Sequence, residues 1–189
     1  MPAAASWIRA LNRGFDMREI RTSRLLLRRL RRDDARTIFE TWANDPEVTR
    51  FLTWEPHGTA AVTEAVVDMW LADYERPETY RFAIERLSDG ALMGMIDVVG
   101  FQNGHPVIGY CSGKKYWGCG YMSEALGAVV HQLFEDGYES IEIYAAVKNI
   151  GSNRVIEKNG FVFTGQREPV GNECKPDVDM INMYRLDRQ

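Results

Sequence analysis

Residues 115–125, KYWGCGYMSEA, hold the turn on which the fold of this chain hinges. Gly118 and Gly120 stand one residue apart. The aromatic pair Tyr116-Trp117 precedes them, and the amphipathic run YMSEALGAVVHQLFEDG follows. Three uses compete for such a turn: a plain strand-to-helix connection, a dinucleotide-binding turn, or a cradle for another phosphate. The physical case for a phosphate is direct. A helix starting near Gly120 leaves its first backbone N–H groups without partners, and its dipole favours an anion there. Glycines bring no Cβ between ligand and backbone. Many strand-to-helix turns nevertheless carry two glycines and bind nothing.

Working outward, the run after the turn has Ala125, Val129, Leu133 and Phe134 at helical spacing, and Gly137 closes it. Before the turn the period is two. YRFAIERL (80–87), ALMGMIDVVGF (91–101) and VIGYCSG (107–113) read as strands. Ser88-Asp89-Gly90 and Asn103-Gly104-His105-Pro106 turn them into an antiparallel meander. Upstream, RLLLRRL (24–30) reads as a strand. Asp33 and Asp34 offer N-cap oxygens to a helix bearing Ile38, Phe39 and Trp42, which Pro46 ends. A second helix begins at Thr59, with Ala61, Ala65, Val66, Met69 and Trp70 as its apolar side. Downstream come a strand SIEIYAAV (140–147) and a short helix over 149–159. Ser152 is the N-cap candidate of that helix, and Gly160 suits its left-handed end. FVFTGQ and DMINMYRL are the last two strands. The chain is α+β, a mixed sheet with helices on its faces. A single domain is expected over 20–189, after an N-terminal extension over 1–19.

Composition narrows the function. The 189 residues are 45% hydrophobic and 26% charged, as in a globular protein. A formal net charge of −4 argues against a sequence-independent grip on nucleic acid. Nine arginines cluster between Arg9 and Arg32, and we expect them on the solvent faces of the first strand and its lead-in. Cys111, Cys119 and Cys174 form no even framework, so a reducing, cytoplasmic setting fits. Three scattered histidines make no zinc site. No run approaches the length of a membrane span, and the first residues lack a signal-type apolar core.

A dinucleotide turn asks for a third glycine, where this chain has Ser123, and for a βαβ unit, where it has hairpins. A Walker-type loop asks for GK[ST], which is missing. The loop instead resembles the Q/R-x-x-G-x-G/A loop of the GNAT superfamily of N-acetyltransferases, with Lys115 in the Q/R place. Its spelling is similar to that of the ribosomal-protein-acetylating, RimJ/RimL-like branch. A second block, Asn149 through Ser152 to Gly160-Phe161, and the opening TSRLLLRRLRRDDA resemble the same family. The likeness covers about residues 20–187.

This resemblance implies a mostly antiparallel sheet of about seven strands, splayed between the fourth and fifth, and acetyl-CoA as cofactor. The pantetheine would run along Tyr110, Cys111, Ser112 and Gly113. The pyrophosphate would lie on the N–H groups of Lys115, Tyr116, Trp117, Gly118, Cys119, Gly120, Tyr121 and Met122, with Asn149 and Ser152 also at the cofactor. No metal is needed. Partners are then acetyl-CoA and an amine acceptor, with no nucleic acid and no membrane; homodimers are a family habit.

The implied reaction is direct attack of an amine on a thioester in a ternary complex. It needs a donor for the carbonyl, a base for the ammonium and a group for the leaving sulfur. The Cys111 backbone N–H is the donor candidate. The tyrosine that many family members place seven residues after the Asn is here Ile156, and Ser152 is the substitute as general acid or sulfur partner. Base candidates are Glu55, His57, Asp97, His105 and Glu142, with Asp97 unusual in an apolar strand. Trp54, Glu55 and His57 fall in TWEPHGT, which resembles the acceptor-side loop. Two other functions stay open: a non-catalytic acyl-CoA-binding module, and a nicotinamide-dependent oxidoreductase.

Overall fold

The computed structural model describes residues 18–189. The expected extension therefore lies outside the described residues, except for Arg18 and Glu19. Eight strands form one sheet: β1 (Ile20–Arg21), β2 (Leu25–Arg28), β3 (Arg81–Arg86), β4 (Leu92–Gln102), β5 (His105–Ser112), β6 (Ser140–Ala146), β7 (Val162–Arg167) and β8 (Ile181–Asp187). Their order is β1-β2-β3-β4-β5-β6-β8-β7. Every neighbouring pair is antiparallel except β5 with β6. Five helices are described: α1 (Asp34–Ile38), α2 (Pro46–Thr49), α3 (Ala60–Asp73), α4 (Tyr121–Glu135) and α5 (Ile150–Lys158).

Strand alternation divides the core into two faces. Phe82 and Ile84 of β3, Ile96 of β4 and Ile108 of β5 pack with Ala125, Leu126, Val129 and Leu133 of α4. Ala83 and Met95 point the other way, onto Ile38 and Trp42 of the α1 region and Val67 of α3. The four α4 side chains are fully buried, and each large one contributes about 1.5–3 kcal/mol.

Several local expectations change. Asp33 makes no capping bond, and Asp34 turns its carboxylate to the Arg31 N–H and to Arg28. Arg28 is buried, 3% exposed, and also bonds Glu85, so not every arginine of the cluster faces solvent. After Ile38 the helix widens to a five-residue turn over Phe39–Ala43, and Pro46 starts α2 instead of ending α1. In α3 the inward residues are Thr63 and Val67, whereas Met69 is 62% exposed. That helix is apolar around much of its girth, so the pattern did not fix its phase. Ser152 is not the N-cap of α5. Asn149 holds that place, and its Oδ1 accepts the Ser152 N–H at 3.1 Å. Gly160 does take the left-handed conformation, at φ +82°.

Candidate functional site

The parallel β5–β6 ladder has two residue pairs, Val107 with Glu142 and Ile108 with Ile143. Beyond them the two strands part. A cavity of about 530 Å³ opens at this gap, lined from both faces of the sheet. From the α5 side come Tyr110, Asn149 and Ser152. From the α3 side come Trp54, Trp70, Arg81, Met95, Asp97 and Cys111. The gap thus connects two half-sites through the sheet.

Backbone direction along β5 follows from one bond. The Gly113 N–H donates to Met93 O at 2.9 Å, and the register pairs Cys111 with Met95. By alternation the Cys111 N–H also faces β4, and the N–H groups of Tyr110 and Ser112 face the gap. The Ser112 carbonyl on that side accepts the Trp117 indole N–H at 2.9 Å.

The glycine loop follows directly. Lys114–Tyr116 form a single tight turn, with Tyr116 buried and Lys115 exposed. Gly118 and Gly120 both take positive φ, +73° and +77°, and Gly120 is the N-cap of α4. Among the described residues, the backbone N–H groups from Gly118 to Ser123, including Cys119, Tyr121 and Met122, donate to no acceptor in the protein. This is a preformed anion cradle. Glu124, in the first turn of α4, has its carboxylate satisfied elsewhere. Burial alone would raise its pKa, but Thr22, Ser23 and Arg24 donate to it and hold it below the usual carboxylate range. Arg24 also bonds Cys119 O and lies 4.5 Å over the Tyr121 ring.

At the α5 side of the gap the Ser152 hydroxyl lies 2.9 Å from the Tyr110 hydroxyl. Sequence spacing gave no sign of this pairing, because strand and helix are 42 residues apart. On the α3 side, Asp97 is 8% exposed and accepts a bond from Arg81 Nε at 3.1 Å. Burial pushes its carboxyl above the ordinary value; Arg81 opposes this and Asp73 adds to it. Arg81 also bonds Asp73 at 2.6 Å. Trp54 lines the cavity and packs at a tilt against His57, with ring centroids 5.1 Å apart. Glu55, His57, His105 and Glu142 do not line it. Glu55 points outward to Lys175, His57 bonds Thr63, and Glu142 accepts from Tyr144. The structure therefore brings Trp54, Asp97, Cys111 and Ser152 to one cavity and separates the other acceptor-loop and base candidates from it.

The acetyltransferase (GNAT) domain family matches residues 24–162, well over half of the chain. The chain belongs to the GNAT family. An uncharacterized N-acetyltransferase of Bacillus subtilis (strain 168), YoaA, is 31% identical over 145 residues, covering 75% of this chain and 81% of that one. Another, p20 of Bacillus licheniformis, is 28% identical over 129 residues, 67% of this chain and 70% of that protein. A GNAT-family acetyltransferase of Bacillus anthracis has the same fold, at TM-score 0.75 and 23% identity over 90% of this chain and 98% of that one. A RimL ribosomal L7/L12 α-N-protein acetyltransferase solved with coenzyme A is similar at TM-score 0.77 and 21% identity, over 90% and 98% of the two chains.

As a GNAT enzyme the protein is an N-acetyltransferase, and its cofactor is acetyl-CoA. Its own residues fit that group. Six unpartnered loop N–H groups suit a pyrophosphate, and the open edge of β5 suits an amide-bearing arm. Among the described residues no helix is long and apolar enough to cross a membrane, and no three metal-ligating side chains cluster.

Proposed function

We propose that this GNAT enzyme is RimJ/RimL-like and acetylates a primary amine, either a protein N-terminal α-amine or a small-molecule amine, by direct transfer in a ternary complex. The observation that carries this is the two-sided gap, which gives cofactor and acceptor separate approaches to one point. Acetyl-CoA supplies the acetyl group as a thioester. The N–H groups of Gly118 to Ser123 hold its pyrophosphate, those of Tyr116 and Trp117 being already given to the Gly113 and Lys114 carbonyls, and the edge of β5 from Tyr110 to Gly113 orients its arm. Asn149 fixes the first turn of α5 and so the height of Ser152. Ser152 donates a hydrogen bond to the sulfur. The thioester carbonyl takes its donor from the N–H of Tyr110 or Ser112, the two neighbours of Cys111 that face the gap. Asp97, on the opposite side, removes the proton from the ammonium, with Trp54 as an apolar wall for the acceptor. Its raised pKa suits a base better than that of an exposed carboxylate.

The test is incubation with acetyl-CoA and a panel of amines and N-terminal peptides, following free thiol. Thiol release that requires one acceptor, and that Asp97→Asn lowers about 100-fold, supports the assignment. Tight CoA binding with no turnover on any acceptor would instead favour a non-catalytic acyl-CoA-binding module.

A further inference from the structure

The Ser152 hydroxyl has one hydrogen and two lone pairs. A serine inside a helix commonly turns that hydrogen back to the carbonyl four residues earlier. Here the described partner of Ser152 Oγ is the Tyr110 hydroxyl at 2.9 Å, reaching from strand β5. The Tyr110 hydroxyl is also placed to donate to the Ser152 carbonyl at 3.2 Å, so its single hydrogen has two acceptors to choose between, both atoms of Ser152 and Oγ the nearer. Both residues line the cavity. Ile156, one turn further along α5, is 0% exposed within the core and does not line the cavity, so no group from that position enters it.

We infer that Tyr110 is a positioning residue that commits the Ser152 hydroxyl hydrogen to the cofactor sulfur. This rests on the proposed role of Ser152. The phenol hydrogen takes the shorter contact, to Ser152 Oγ at 2.9 Å instead of the carbonyl at 3.2 Å, and the serine hydrogen is then directed away from the ring and into the cavity. The two hydrogen bonds then run in series, phenol to serine to sulfur, and each polarises the next. Neither hydroxyl loses its proton; the pair stabilises negative charge on sulfur, and the thiolate is protonated from solvent. Burial pushes the Tyr110 hydroxyl up, which keeps it a donor across the working range. Asn149 completes the arrangement by taking the Ser152 N–H and locking the turn.

Coenzyme A itself is the probe, so no acceptor need be known. The ultraviolet absorbance of its thiolate is titrated against pH on wild type, Tyr110→Phe, Ser152→Ala and the double variant, each saturated with CoA. Both single variants are expected to move formation of the bound thiolate to higher pH. The double variant should move it no further than Ser152→Ala, because Tyr110 acts through the serine. Tyr110→Phe keeps the ring and its packing, and calorimetry should show CoA affinity changed by less than about 3-fold. With any amine that turns over, kcat should fall about 10-fold in Tyr110→Phe. A Tyr110→Phe titration that matches wild type, or shifts that add in the double variant, overturns the inference. A Ser152→Ala titration that matches wild type removes the serine assignment beneath it, a distinguishable result.

Discussion

Substitution of Gly118 by alanine separates the cradle from its surroundings. Gly118 sits at φ +73°, and a Cβ built there has nothing within 4 Å. No clash therefore contributes, and the whole effect is conformational. Left-handed backbone costs an L-residue roughly 1–2 kcal/mol, and glycine is spared it. The free loop can relieve the strain by leaving this conformation, but the N–H groups then no longer converge. CoA binding must restore the geometry, so the cost appears in affinity as a loss of about 5- to 30-fold. Gly104 is the control. It has the same kind of strain at φ +83° and the same open space, but it lies in the β4–β5 turn. Gly104→Ala should lower stability and leave CoA affinity within about 2-fold. Isothermal titration of CoA into both variants decides the matter. Unchanged affinity in Gly118→Ala, or an equal loss in Gly104→Ala, refutes the reasoning.

Arg28→Met should destabilise the fold by about 3–5 kcal/mol in urea titration, because Asp34 and Glu85 lose the guanidinium that bridges them in a buried site. A loss near that of a surface pair would show the cluster to be solvated. The pH dependence of kcat/KM should carry Asp97, whose surrounding groups are Arg81, Asp73, Tyr74 and the Cys111 thiol. Removing the cation in Arg81→Gln raises the Asp97 pKa and moves the acid limb to higher pH. Removing the second carboxylate in Asp73→Asn moves it lower, and shifts of the same sign would exclude Asp97 as the titrating base. Glu124 has a lowered folded-state pKa, so its contribution is present above the ordinary carboxylate range and is lost as pH falls through the folded value. The thermal stability gap between wild type and Glu124→Gln should therefore close on acidification, and a gap that widens contradicts the network drawn from Thr22 to Arg24.

The order of elements was legible in the sequence because its signals are local. Period-two strands, the Gly90 and Gly137 stops and the two-glycine turn each follow from residues a few places apart. So did the cradle, whose unpartnered donors are a property of any helix start opened by glycine. The phase of α3 was not legible, because too many of its residues are apolar for one face to stand out. Asp34 was misread because its carboxylate had a stronger partner than the helix end. Arg28 and Glu85 are 57 residues apart, and only the sheet makes them neighbours.

The candidate site divides the same way. Asn149, Ser152 and the loop were legible as blocks, and Asp97 as an oddity in an apolar strand. The backbone direction at Cys111 was not, since which N–H groups face a gap depends on ladder register. The pairing of Tyr110 with Ser152, the Asp73–Arg81–Asp97 chain and the exclusion of Glu55, His57, His105 and Glu142 from the cavity all required the assembled sheet. Local sequence set where a glycine turn would expose donors, because that geometry is written within one helical turn. The parting of β5 from β6 decided what those donors serve, because two strands separated by a helix meet, or fail to meet, only when the chain is folded.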